Sequence, residues 1–569
     1  MSEKPIINCH THIFTGDNIP PYIGKKFMPF ILYKILTVPL VIRICKFWFT
    51  NKYSPYKFNF SFQNSNLKKN LVKLKLLWQR FRVLRAIVDV VSFLIVLFST
   101  YLLFKYFFKE IEFCEKLLIK LYNIQYLEFL KNDAIQISII LFTLIAIPYG
   151  RKIGLMIIRN SKKLSLLFIN EDQLKFITRY VSIGRFAYYQ EQNAIFKRLT
   201  KQYPKNTQFV VLPMDMEFME AGKVKPIGNY QTQMERLKEI KLKNPTIIHP
   251  FIFVDPRREN VGYKDFFKWK NLNGKVILED CFIKEYIEKA NFAGFKIYPA
   301  LGYFPFDEKL LPLWKYAADN NLPIMTHCIR GTIFYRGNKK KEWYYHPIIK
   351  DAKLPNEYML LAKSKNIEYS LDFTHPLNYL CLLNPILLKE WIKKCNKPEL
   401  LDLFGYSEET DTISSDLSNL KICFGHYGGD DEWKKFMERD RDNYSHKMTD
   451  NSKGITFINT KKDKLGYGRL MDIWKNADWY SIISSLIMQY PNIYADLSYI
   501  IHEEEIVPLL KQTLSNPALK EKILFGTDFY VVRNHNSEKE LLAKTKSNLS
   551  TKQFNLIARE NPIIFLRRN

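Results

Sequence analysis

Cysteine is sparse and unpaired in this 569-residue sequence: eight cysteines stand singly between Cys9 and Cys423, with no CxxC pair. That usage excludes a zinc ribbon and a disulfide scaffold and points to a reducing compartment. Acidic residues are also short, 57 Asp and Glu against 85 Lys and Arg, leaving a formal charge of +28. The basic residues are scattered and no nucleic-acid-binding module accompanies them, so no nucleic acid is expected as a partner; a cationic chain does suit the anionic face of a membrane. Glu3 and Lys4 lead straight into an apolar run, so no cleavable signal peptide is read at the start. There is no low-complexity tract and no sequence repeat. Hydrophobic residues make up 47%, which excludes a disordered polymer and permits a sizeable core.

What is present is organised around residues 5–12, an apolar run that ends in His10-Thr11-His12. On a strand, alternate side chains share a face, so the two imidazoles point the same way where the strand runs out. Paired neutral imidazoles are ready ligands for a divalent metal.

After residue 12 the pattern breaks for nearly two hundred residues. From Met28 to Phe49 an apolar stretch is interrupted by Lys34, Arg43 and Lys46, as in an amphipathic segment at a membrane surface or in a groove. Residues 68–85 carry seven basic residues and no acid, and the 19 residues from Ala86 to Phe104 then carry only Asp89. A second apolar run, Ala134 to Gly150, has 17 residues, includes Pro148 and precedes the basic stretch 151–163. Two basic flanks around a nearly neutral loop fit a transmembrane hairpin with both ends in the cytoplasm. The alternative is a buried helical pair in a soluble cytoplasmic protein.

From Gln208 onward, short apolar runs alternate with amphipathic helical stretches. The runs are Phe209–Met214, Ile247–Val254, Gly294–Tyr298, Leu322–Met325, Ile422–Phe424, Ile493–Ala495 and Ile523–Phe525. With the first strand they make eight, the pattern of an α/β (β/α)8 TIM barrel. Residues 1–13 then hold the first barrel strand and 208–569 the remainder. Residues 14–207 are a long, mainly helical insertion after strand 1, with candidate transmembrane segments 86–104 and 134–150.

Barrel enzymes carry their chemistry at strand C-termini. Those ends supply His10 and His12, Asp215, Asp255 to Arg257, Lys296, His327, His426, Asp496 and Asp528. His-x-His on the first strand, His on the fifth and sixth, and Asp on the eighth together resemble the amidohydrolase superfamily, above all its amidohydrolase-related branch of metal-dependent hydrolases and decarboxylases. The likeness covers residues 5–12 and 208–569. It implies His10, His12, His327 and Asp528 as metal ligands and His426 as a second-metal ligand or an acid/base beside the ion. It makes Lys296 either a carboxylated bridge between two ions or an ordinary lysine. The implied cofactor is a divalent metal, most naturally one or two Zn2+.

Three imidazoles and a carboxylate leave an open position where a water can be activated. Asp528 and His426 are then the catalytic candidates; Arg257, Lys296 and Asp215 are candidates for holding a small-molecule substrate. The expected activity is a membrane-tethered metal-dependent hydrolase of an amide, ester or lactone. A metal-dependent decarboxylase on the same site and a non-catalytic scaffold barrel are the alternatives. His346, His446, His502 and His535 read as solvated, and His249 as a satisfied core histidine.

Overall fold

The computed structural model describes residues 4–20, 40, 81–107, 132–147, 191–224, 226–351, 354, 356–438, 443–458 and 467–568. The chain divides into two compact units, residues 1–47 with 178–569, and residues 48–177.

In the first unit, eight parallel strands lie side by side in chain order. They are β1 (Ile7–Thr11), β2 (Gln208–Val211), β3 (Ile248–Phe253), β4 (Gly294–Ile297), β5 (Ile324–His327), β6 (Ile422–Gly425), β7 (Ile493–Asp496) and β8 (Ile523–Leu524). Each falls within a few residues of an apolar run read from the sequence. Backbone hydrogen bonds from Cys9 to Phe525 (2.8 Å), from Asp528 to His10 (2.9 Å) and from His12 to Phe529 (2.6 Å) bring the last strand back to the first. The barrel is therefore nearly closed, the architecture that the amidohydrolase resemblance implied.

Helices cover the outside of the barrel. They include α3 (Gln192–Thr200), α4 (Tyr230–Lys243), α5 (Leu311–Asp319), α7 (Trp479–Gln489) and α8 (Glu538–Asn548), while α6 (Asn366–Thr374) lies in the long connection after β5; α1 (Arg82–Phe107) and α2 (Asp133–Ala146) belong to the second unit. Helix α3 buries Ile195, Phe196 and Leu199 and belongs to the barrel unit by residue range. The stretch 467–489 before β7 forms two helices, Tyr467–Asn476 and α7. The break is set by Asp478, whose side chain accepts from Ser481 N and caps α7.

The barrel interior is a separate apolar layer. Ile7, Cys9, Val210, Leu212, Phe251, Met325, Cys423, Tyr494 and Leu524 form one buried cluster with Phe565. On β1 the pairing register with β2 shifts between Asn8 and Thr11. Such an irregularity re-aims side chains. It lets Cys9 join the interior layer and His10 follow it towards the barrel's centre.

In the second unit, α1 (Arg82–Phe107) and α2 (Asp133–Ala146) pack together, joined by a 2.6 Å hydrogen bond between the Ser99 and Thr143 hydroxyls. Among the described residues no helix is long and apolar enough to cross a membrane, so the transmembrane hairpin finds no support here. Helix α2 has 14 residues, or about 21 Å of rise against a bilayer core of about 30 Å. Of the segment 28–49 only residue 40 is described, and the basic stretches 68–80 and 151–163 and residues 148–150 lie outside the described residues.

Candidate metal centre

Strand ends on opposite sides of the barrel seam bring three groups together. Ligating atoms of His10 and His12, from β1, and Asp528, just after β8, lie within 4.8 Å of one another. His12 Nε2 stands 3.2 Å from Asp528 Oδ1, and His10 Nε2 stands 3.8 Å from it. A second, overlapping group holds His10, His426 and Asp496.

The hydrogen bonds assign the tautomers. His10 Nδ1 donates to Asp496 Oδ2 at 2.8 Å, and His12 Nδ1 donates to the Leu212 carbonyl at 2.8 Å. Each ring is left with its lone pair on Nε2, and that of His10 is buried without a hydrogen-bond partner. His426 Nδ1 donates to the Ser498 carbonyl at 3.1 Å, which places its lone pair on Nε2, 3.1 Å from His327 Nδ1. With a proton between them that contact is a hydrogen bond; with a cation between them it is a pair of ligands. His327 thus reaches the cluster through His426 and is in neither three-residue group. Its ring is held by Tyr298, stacked at 3.8 Å between centroids.

Electrostatics keep these imidazoles in the ligand state. Burial drives His10 down to about 3, against the upward pull of Asp496. Burial, then His426 and Lys296, push His327 well below its ordinary value, and burial also lowers His426. All three are neutral at pH 7, as metal ligation requires. Burial by itself would raise Asp528, but its close contacts with His12, His426 and His10 outweigh it and hold its carboxyl below the ordinary value. The donor set of imidazole nitrogens and carboxylate, all within 4.8 Å of one another, fits a divalent cation.

The cluster is held by partners that the sequence reading left undecided or missed. Asp496 also accepts from the backbone N–H groups of His426 (3.1 Å) and Ser498 (2.9 Å), and from the Ser498 hydroxyl. Burial opposes its ionisation, yet His10, His426 and Ser498 hold its carboxyl well below the usual range. A carboxylate gripping the far nitrogen of a metal-binding histidine fixes its orientation. The only forewarning of Asp496 was its place at a strand end, and Ser498 had none. Two glycines admit His10: a Cβ on Gly526 would lie 2.9 Å from His10 Cβ, and one on Gly425 would lie 3.1 Å from His10 Cε1. His426 and Asp528 both adopt left-handed backbone, with φ of 64° and 60°, a conformation that side-chain-bearing residues keep only where their surroundings enforce it.

The groups proposed from sequence for substrate binding lie elsewhere. Arg257 is committed to Asp255 through two hydrogen bonds (2.7 and 2.6 Å) and to the carbonyls of Phe218 and Leu301. Asp215 pairs with Arg258. Neither lines the cavity of about 300 Å³ at the cluster. Lys296 is fully buried; burial lowers it to about 8 against the pull of Asp496 and Asp528, and its Nζ has no hydrogen-bond partner. It too does not line the cavity.

The cavity opens onto His12, His327, His426 and Asp528 and is walled mainly by apolar side chains such as Phe14, Met214, Ile329 and Ile333. Tyr298, Tyr499 and Arg330 also line it, and Arg330 pairs with Glu368 on α6 at 2.6 Å. Arg330, three residues past His327, carried no sequence signal. His346, read as solvated, is buried; its Nδ1 accepts from Ile348 and Ile349 N–H, and its Nε2 faces Asn378. The loop after β5 folds back over the barrel instead of standing in solvent. His249 meets the Gln208 side chain at 2.8 Å, and His446 is exposed.

No family model and no curated protein matches the chain. Among solved structures it is similar to 5-carboxyvanillate decarboxylase from Sphingomonas paucimobilis, at 11% identity over 68% of this chain and 85% of that one, with a TM-score of 0.34. It is similar to 2,6-dihydroxybenzoate decarboxylase from Rhizobium at 12% identity, covering 63% and 83%, TM-score 0.30. It is also similar to a manganese complex of 5-carboxyvanillate decarboxylase from Novosphingobium aromaticivorans at 11% identity, covering 63% and 76%, TM-score 0.32.

Proposed function

We propose that this chain is a metal-dependent hydrolase acting on an amide, ester or lactone bond of a small molecule. The observation that carries the reading is the convergence of the His10 and His12 Nε2 atoms on the Asp528 carboxylate at the head of an apolar cavity. A divalent ion bound there, zinc or manganese, would acidify a water and polarise a substrate carbonyl. Asp528, ionised and facing the cavity, takes the proton from the attacking water. His426, with its lone pair on Nε2, stands beside the cluster to receive or return a proton to the leaving group. The apolar wall excludes bulk water, which strengthens every charge interaction at the reacting atoms. A two-ion form would recruit His327 and His426, with Lys296 carboxylated as the bridge; intact-mass measurement would show that modification.

One observation favours decarboxylation as a second reading. A low-dielectric wall destabilises a substrate carboxylate more than the uncharged carbon dioxide it releases, and similar structures are named as decarboxylases. Product analysis separates the two. Metal-reloaded protein is incubated with a panel of amides, esters, lactones and aromatic carboxylates in water carrying heavy oxygen. Heavy oxygen in a newly formed carboxylic acid is the hydrolytic outcome, and released carbon dioxide with loss of the substrate's carboxylate the other. No turnover of any class, with metal bound, would sink both and leave a binding barrel.

A tether completes the proposal. Helices α1 and α2 expose Val83, Ile87, Val90, Phe93, Leu94 and Phe142, and the sequence flanks them with basic stretches. That combination supports attachment to an anionic membrane surface with the barrel in the cytoplasm. Quantitative recovery of the full chain in the soluble fraction without detergent would overturn it.

A further inference from the structure

Outside the barrel wall, behind the metal centre, four buried polar side chains meet: Asn8, Tyr203, Thr527 and Glu538. Asn8 precedes His10 by two residues and lies before the β1 register shift, on the strand face opposite Ile7 and Cys9. Its Oδ1 accepts from the backbone N–H of His10 (3.3 Å) and of Thr527 (3.2 Å). Its Nδ2 donates to the Tyr203 hydroxyl (2.9 Å) and to Thr527 Oγ1 (2.8 Å). Both hydroxyls in turn donate to Glu538 Oε2, at 2.6 and 2.8 Å. Glu538 is the first residue of α8, where a carboxylate is favoured by the helix dipole.

One amide therefore grips the backbone beside two groups of the centre, His10 on β1 and Asp528 after β8, and a tyrosine and a glutamate lock the amide's orientation. With both oxygen and nitrogen satisfied, the Asn8 side chain has a single orientation. We propose that Asn8, Tyr203, Thr527 and Glu538 form a positioning device that sets the distance between His10 and Asp528 and thereby the affinity of the centre for its metal. This inference rests on the metal-centre reading above. It concerns residues that never touch the ion or the cavity.

The test uses the full chain, stripped with chelator and titrated calorimetrically with Zn2+ and Mn2+. Asn8→Ala and Tyr203→Phe are compared with Leu237→Ala, a packing control on α4, where Leu237 is fully buried. The positioning role predicts that Asn8→Ala weakens metal binding by about 10- to 100-fold, the range typical of groups that orient ligands. Tyr203→Phe should weaken it in the same direction by a smaller factor. Leu237→Ala should melt at a lower temperature yet bind metal as the wild type does. Should Asn8→Ala not fold, Tyr203→Phe carries the test. Wild-type affinity in every variant that folds, or equal losses in the variants and the packing control, would overturn the proposal. A wild type that binds neither ion would overturn the metal-centre reading instead, a separate result.

Discussion

A chain carrying His10→Ala and His12→Ala together is expected to leave purification nearly metal-free, where the wild type holds about one divalent ion per chain. Both rings present a lone pair on Nε2 because both Nδ1 atoms are occupied, by Asp496 and by the Leu212 carbonyl. Alanine at both positions leaves Asp528 as the sole member of its three-residue group. Losing one group that merely orients a ligand already costs about 10- to 100-fold in affinity; losing two ligands outright should exceed about 10⁴-fold. Elemental analysis of the variant, the wild type and His446→Ala, an exposed histidine away from the centre, makes the comparison. His446→Ala should keep the wild-type metal content. Metal retained by the double variant would remove the centre from its proposed place. About two ions in the wild type would bring His327, His426 and a modified Lys296 into the ligand set.

Asp528→Asn should retain the fold and much of the metal while losing turnover by about 10²–10⁴-fold, the usual contribution of a positioned acid or base. The substitution is unusually clean. Asp528 sits at φ 60°, and asparagine tolerates that left-handed backbone as well as aspartate does. The amide oxygen keeps the carboxylate's place, so what disappears is the charge and the capacity to take a proton. The decisive measurement is steady-state kinetics on whichever substrate class the product analysis identifies, with metal content measured in the same preparation. A rate within tenfold of the wild type at equal metal content would show that another group takes the proton.

The barrel and the head of the site were legible because both are written in strand-end order. A short apolar run followed within a few residues by a polar side chain is a local signal, and His10, His12, His327, His426 and Asp528 all carry it. Asp215 and Arg257 carry the same signal, but in the structure they are spent on neighbouring ions, Arg258 and Asp255; sequence order does not say which polar residue is already paired. Asp496 and Ser498 matter because β7 lies beside β6 and only one strand from β1, a fact of closure. Arg330 and His346 depend on how the long loop after β5 folds back. The apolar runs in the insertion were conspicuous, yet α2 stops after 14 residues, short of what its composition suggested.

The seam between β1 and β8 has a consequence for how the chain folds. The centre joins groups from the first and last strands, and the bond from Asn8 to Thr527 spans 519 positions. Between β1 and β2 the chain makes an excursion of nearly two hundred residues. For a flexible chain, closing that loop costs about 2 kcal/mol more than closing a connection of ~30 residues. β1 is therefore poised to be the last staves-to-hoop contact of the barrel. An ion bound across the seam favours the closed state by mass action. Metal uptake during refolding would then report the moment at which the two ends of the barrel meet.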